Sequence, residues 1–180
     1  MIRIGILGEI GSGKSYVASN FGYPVFNADH EVAKLYKLNK NVFNKLKKKL
    51  PKYIHSFPIE KIEISNAILA NRINLKKIIK IVHFEIRKKL NVFLKKNKNK
   101  KIVILDIPLL LENKINKKQD ILVYVQSNKS LILQRLKKRK NFNNKLLKKF
   151  KNIQYSSVYK KKNLILLLKI VLQRSQLVME

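Results

Sequence analysis

Gly8-Glu9-Ile10-Gly11-Ser12-Gly13-Lys14-Ser15 satisfies G-x-x-x-x-G-K-[ST] without a mismatch. Gly11 and Gly13 free the backbone to turn successive N–H groups inward, which makes a nest for an anion. Lys14 supplies a mobile ammonium for β- and γ-phosphates, and the Ser15 hydroxyl can ligate Mg²⁺. The spacing predicts a nucleoside triphosphate site formed by Gly8, Gly11, Ser12, Gly13, Lys14, Ser15 and the adjoining Tyr16. A chance glycine turn before Lys-Ser is the bland alternative, and the strand and helix patterns on either side weigh against it.

Two carboxylates could act beside such a loop. Asp29 follows a short apolar run, Val25-Phe26, and Asp106 ends another, Ile102-Val103-Ile104-Leu105. The C-terminal ends of parallel strands face one crevice, so Asp29 could take a proton from a substrate hydroxyl or hold Mg²⁺ through water. Asp106 has the position of a second magnesium-directed acid. The ordinary reading of either is a helix cap or turn residue. Arg135 and Arg139, four residues apart, are expected to share a helix face and to clamp phosphoryl oxygens at the entry to a mobile lid. The competing reading is solvated helix charge. His30, His55 and His83 show no metal-ligand spacing, and the first two are expected at the surface.

These residues need elements to position them. Residues 2–7, 24–27, 101–106 and 120–125 read as strands. Residues 14–21, closed by Gly22, and 29–36, 41–50, 59–70, 75–95 and 130–140 read as helices. Strand alternating with helix predicts an α/β, three-layer fold with a central parallel sheet and helices on both faces.

The chain has 180 residues, enough for one domain with a real core, and its lack of cysteine excludes disulfides, thiol nucleophiles and Cys-ligated metals. No signal peptide or membrane-spanning run is evident, so the expectation is a cytoplasmic protein with no membrane partner. A net charge of +31 suggests a nucleic-acid binder. Yet 35 of the 41 basic residues are Lys, accompanied by 19 Asn and 23 Ile, all residues of A- and T-rich codons. Biased base composition explains the excess, and no specific nucleic-acid partner is expected. The lysine and asparagine clusters at 95–101, 137–145 and 160–163 read as solvated loops or helix faces.

The chain resembles the dephospho-CoA kinase family over most of residues 2–155. Gly5 to Ser15 resembles the family's opening, where a glycine is usual in place of Glu9. Asn27-Ala28-Asp29 resembles its Asp-Ala-Asp, and His83-Phe84-Glu85-Ile86-Arg87 its His-Pro-x-x-Arg with Phe84 replacing the proline. Pro108-Leu109-Leu110-Leu111-Glu112 resembles its Pro-Leu-Leu-Phe-Glu, and Arg135 to Arg139 with Gln154 its lid entry and exit. The resemblance implies a P-loop NTPase-type core over residues 1–57, 98–136 and 155–180. It implies a helical CoA-binding insertion around 58–95 and a lid around 137–154. It further implies ATP and Mg²⁺ as cofactors, with transfer of the γ-phosphate to the ribose 3′-hydroxyl of dephospho-CoA, the last step of coenzyme A synthesis. Lys14, Asp29 and Arg139 become catalytic candidates, with Arg135 beside Arg139 at the ATP. Asp29, His83, Arg87, Asp106 and Leu109 become acceptor contacts, and Ser15, with Asp106, the magnesium ligand. A monomer or small homo-oligomer fits this reading.

The family continues past the lid into Ala-Asp and a terminal Asn, both missing from Asn163-Leu164-Ile165-Leu166-Leu167-Leu168. Back-translated with A/T-rich codons and shifted in frame, this run can give Lys-Ser-Asp-Phe-Ile-Ile-Lys-Asn. A frame slip near residue 162 is therefore expected. Three alternatives stand beside the kinase: another small P-loop kinase acting on a nucleotide or shikimate-like acceptor, a basic P-loop module acting on RNA, and a pseudoenzyme.

Overall fold

The computed structural model of the chain describes residues 1–139, 142–162 and 166–169. The elements run β1 (Ile2–Gly8), α1 (Lys14–Ser19), β2 (Val25–Asn27), α2 (Ala28–Leu38), α3 (Lys40–Lys49), α4 (Lys61–Ala70) and α5 (Arg72–Lys96). They continue as β3 (Ile102–Asp106), β4 (Ile121–Gln126), α6 (Lys129–Lys137), α7 (Asn144–Lys151), α8 (Ser157–Lys162) and β5 (Leu166–Lys169). Two compact units result: residues 1–26, 99–142 and those described from 153 onward, and residues 27–98 with 143–152.

The first unit is built on an all-parallel sheet of order β2-β3-β1-β4-β5. β1 lies in its middle, with Gly5 opposite Leu105 on β3 and Leu122 on β4. Ile4, Ile6, Ile104, Val123 and Val125 form a core with Ala18 of α1. Such continuous apolar runs suit strands covered on both faces. Gly5 permits a close approach here: a Cβ would stand 2.5 Å from Leu110 Cδ2, so glycine lets the segment after β3 lie over β1. Near the start of β1, the buried Arg3 guanidinium meets Asp120 at 3.0 Å and also donates to the Ile115 carbonyl.

The second unit packs α2, α3 and α4 along the 25-residue α5, with α7 against α4. Its helix starts explain part of the asparagine content. Asn27, Asn39 and Asn71 each accept a hydrogen bond from the N–H three residues on, as does Asn143 at α7. Each such cap is worth about 1 kcal/mol. Lys149 Nζ of α7 donates to the Ile68 and Leu69 carbonyls at 2.8 and 2.9 Å, where α4 runs out of intrahelical partners. No helix among the described residues is long and apolar enough to cross a membrane.

Some boundaries differ from the sequence reading. α1 stops at Ser19 and is capped by Asn20, not Gly22. α6 ends at Lys137, which leaves Arg139 in the turn beyond the helix. The cluster at 137–145 contributes the start of α7, driven by the amphipathic spacing of Leu146, Leu147 and Phe150. Residues 163–165 and 170–180, where a frame slip would show, lie outside the described residues. Residues 166–169 pair in parallel with β4, Leu166 opposite Val123, and Leu168 packs on the core.

Candidate active site

β1 delivers the chain to the phosphate loop at Gly8, and the loop's shape follows from its glycines. Gly11 and Gly13 hold φ of 85° and 93°, conformations that L side chains rarely adopt. Gly13 is the N-cap of α1 and offers no side chain to its first turn, which also carries no acidic residue. Lys14 Nζ donates to the Glu9 carbonyl at 2.7 Å and the Gly8 carbonyl at 3.3 Å, so its ammonium sits across the loop. Ser12 Oγ is buried and has no hydrogen-bond partner among the described residues. Ser15 and Tyr16 follow on α1, both exposed.

The wall beside Lys14 comes from the segment after β3. Ile107, Pro108, Leu109, Leu110 and Glu112 line a narrow cleft with Gly8, Lys14, Gln154 and Lys160. Leu109 takes a φ of 59°, a left-handed conformation that costs a non-glycine residue about 1–3 kcal/mol. Asp106, at the C-terminal end of β3, is 3% exposed. From the other side, Arg135 of α6 reaches the loop itself: its Nη1 is 3.5 Å from the Gly11 carbonyl and 3.4 Å from Ser127 Oγ. Arg139 is exposed.

The first unit thus gathers Gly8, Gly11, Ser12, Gly13, Lys14, Leu109 and Arg135 around one loop, with Asp106 at the end of the neighbouring strand. Asp29, His83 and Arg87 belong to the second unit. There Asp29 is exposed in the first turn of α2, and it is not that helix's cap. Asn27 fills that role by accepting from the His30 N–H at 2.8 Å, while Asp29 lies in the first turn, where a carboxylate suits the helix dipole. His83 and Arg87 stand one turn apart on α5, where burial, then the Arg87 charge, lower the imidazole below its usual 6.5.

Sequence reasoning missed the buried partners behind this wall. Lys160 lies in a lysine cluster read as solvated, yet it is 4% exposed and pairs with Glu112. The available signal was Glu112, a lone carboxylate closing the apolar run Leu109-Leu110-Leu111.

Comparison with known proteins decides what this arrangement belongs to. The family model described as Dephospho-CoA kinase matches residues 2–175. The dephospho-CoA kinase of Wolbachia pipientis wMel is 34% identical over 164 residues, covering 88% of this chain and 84% of that protein. The chain belongs to the dephospho-CoA kinase family. The crystal structure of TT1252 from Thermus thermophilus matches with a TM-score of 0.73 at 26% identity, over 94% of this chain and 88% of that one. Dephospho-CoA kinase from Campylobacter jejuni matches in fold with a TM-score of 0.58 at 20% identity, over 97% and 90% of the two chains. The sheet and loop are those of a P-loop kinase, and a kinase of this family uses ATP.

Proposed function

We propose that the protein transfers the γ-phosphoryl group of ATP to the ribose 3′-hydroxyl of dephospho-CoA. The supporting observation is the phosphate loop with Lys14 at its mouth, walled by the Pro108-to-Glu112 segment, in a chain of the dephospho-CoA kinase family. Lys14 follows the phosphoryl group, trading its bonds to the Gly8 and Glu9 carbonyls for phosphate oxygens. Asp29 takes the proton of the 3′-hydroxyl as its oxygen forms the new P–O bond and the bond to the β-phosphate breaks, releasing ADP. Arg135 and Arg139 balance charge on the transferring group. His83, Arg87, Asp106 and Leu109 hold the acceptor. The helical segment around 58–95 receives the rest of the acceptor, and residues 137–154 close as a lid that excludes water.

Ser15, with Asp106, would hold Mg²⁺. The donor set suits it, because magnesium typically takes one or two protein oxygens beside substrate phosphates and water. When bound, the ion neutralises charge on the phosphates.

The test is ADP release by purified protein offered ATP with dephospho-CoA, AMP, shikimate or RNA. Turnover with dephospho-CoA well above the other three is expected. Equal or greater release with any of them would reject the assignment.

A further inference from the structure

Glu112 and Lys160 form an ion pair that phosphate binding alone does not require. Lys160 Nζ lies 2.9 Å from Glu112 Oε1, with side chains 5% and 7% exposed. The same oxygen accepts the Tyr155 N–H at 2.7 Å. One carboxylate atom therefore ties three stretches of chain together: the segment after β3, the return of the chain at residue 155, and α8. Both members of the pair line the cleft that holds Lys14, and so does Gln154, the neighbour of Tyr155.

A strut could have been apolar. Taking two ions out of water costs several kcal/mol each, and well-packed hydrophobic replacements of buried pairs are often neutral or stabilising. Leucines were at hand in Leu109-Leu110-Leu111. A carboxylate does what they cannot: it accepts a main-chain N–H while balancing an ammonium. Its hold falls on the peptide that presents Gln154, whose amide can both donate and accept.

We infer that Glu112 is a positioning residue of phosphoryl transfer. Charge-balanced by Lys160, it fixes the 154–155 peptide so that Gln154 stays in the cleft wall beside Lys14, within reach of the transferring phosphoryl group. This rests on the kinase reading above. Gln154 touches the phosphoryl group; Glu112 acts through it.

The experiment compares Glu112→Gln, Glu112→Ala and Gln154→Ala by melting temperature, deuterium exchange of the peptide spanning Tyr155, and kcat against KM for ATP. Both Glu112 variants should melt lower, because Lys160 loses its counterion. Glu112→Gln keeps an oxygen for the Tyr155 N–H, so exchange stays slow and kcat falls clearly less than in Glu112→Ala. Glu112→Ala should exchange fast at Tyr155 and lose about tenfold or more in kcat, the scale of one hydrogen bond missing from the transition state. Gln154→Ala should show the same kcat loss with native melting and little change in KM. Wild-type kcat in Gln154→Ala, or equal kcat losses in both Glu112 variants, would overturn the inference. If the Glu112 variants do not fold, Gln154→Ala decides it alone. If the wild type makes no ADP with dephospho-CoA, the kinase reading fails separately. Tyr155 exchange and acceptor-free ATP hydrolysis still score the positioning.

Discussion

Arg135 Nη1 stands 3.5 Å from the Gly11 carbonyl oxygen, so α6 and the phosphate loop are joined by a guanidinium. The join is also apolar: a Cβ on Gly11 would meet Leu136 Cγ at 3.0 Å and Ile132 Cγ2 at 3.2 Å. Arg135 Nη2 is buried and has no partner among the described residues. One arm of the fork holds the loop, and under the proposed function the other would meet phosphate.

Arg135→Lys and Arg139→Lys should therefore fail differently. An ammonium cannot hold the loop and a phosphate in one plane, so Arg135→Lys should lower both melting temperature and kcat/KM for ATP. Arg139 is exposed beyond α6, and its replacement should spare stability while reducing kcat/KM. Thermal melts and ATP kinetics on both variants check this. Unchanged kinetics in Arg139→Lys would return that residue to solvated charge.

Lys14→Ala should cost roughly 10²–10³-fold in kcat, the usual loss when one charge-stabilising donor is removed. The fold should survive, since the side chain bonds to the Gly8 and Glu9 carbonyls of its own loop. Circular dichroism and a coupled ADP assay measure the two effects. Wild-type turnover would refute the loop's assignment.

Asp29→Asn should reduce kcat roughly 10²–10⁴-fold with little change in KM for ATP, because an amide keeps the shape but cannot take a proton. Stability should hold, because Asn27 and not Asp29 caps α2. A collapse of ATP affinity with preserved kcat would move Asp29 to the nucleotide site.

His83 supplies a pH test. Burial first, and then Arg87, lowers its folded-state value below 6.5, so the native state favours the neutral ring. Its contribution to stability is complete above the unfolded value near 6.5 and is lost as pH falls through the folded one. His83→Gln should flatten that acid-side loss. Proton NMR should place the imidazole's titration below 6.5, and thermal melts at pH 7.5 and 5 read the stability. A titration at or above 6.5 contradicts the reading.

The sheet was legible because β1, β3 and β4 are short runs rich in β-branched residues, and such runs fit strands buried on both faces. The phosphate loop was legible for a different reason, since its spacing encodes backbone shape directly. Lys160 was not. Whether a lysine in a run of three is solvated or buried depends on whether a carboxylate 48 positions away comes within 2.9 Å of it, which no local window contains. The asparagines misled in the same way. Their abundance read as a mark of base composition, but at Asn27, Asn39, Asn71 and Asn143 they cap helix starts.

The register that sets Gly8 beside Val125 carries a consequence for how the protein is made. Gly8 leaves the ribosome early, while its neighbour on β4 is 117 residues behind it. At about 5–20 residues per second, β1 waits roughly 6–24 s for that partner. Through this interval Ile4, Ile6 and Leu7, all buried in the finished molecule, lack the neighbour that closes one side of β1. The first segment synthesised is thus among the last to be sheltered. A nascent chain truncated before residue 121 should engage a hydrophobic-binding chaperone through residues 2–7 and release it once β4 emerges.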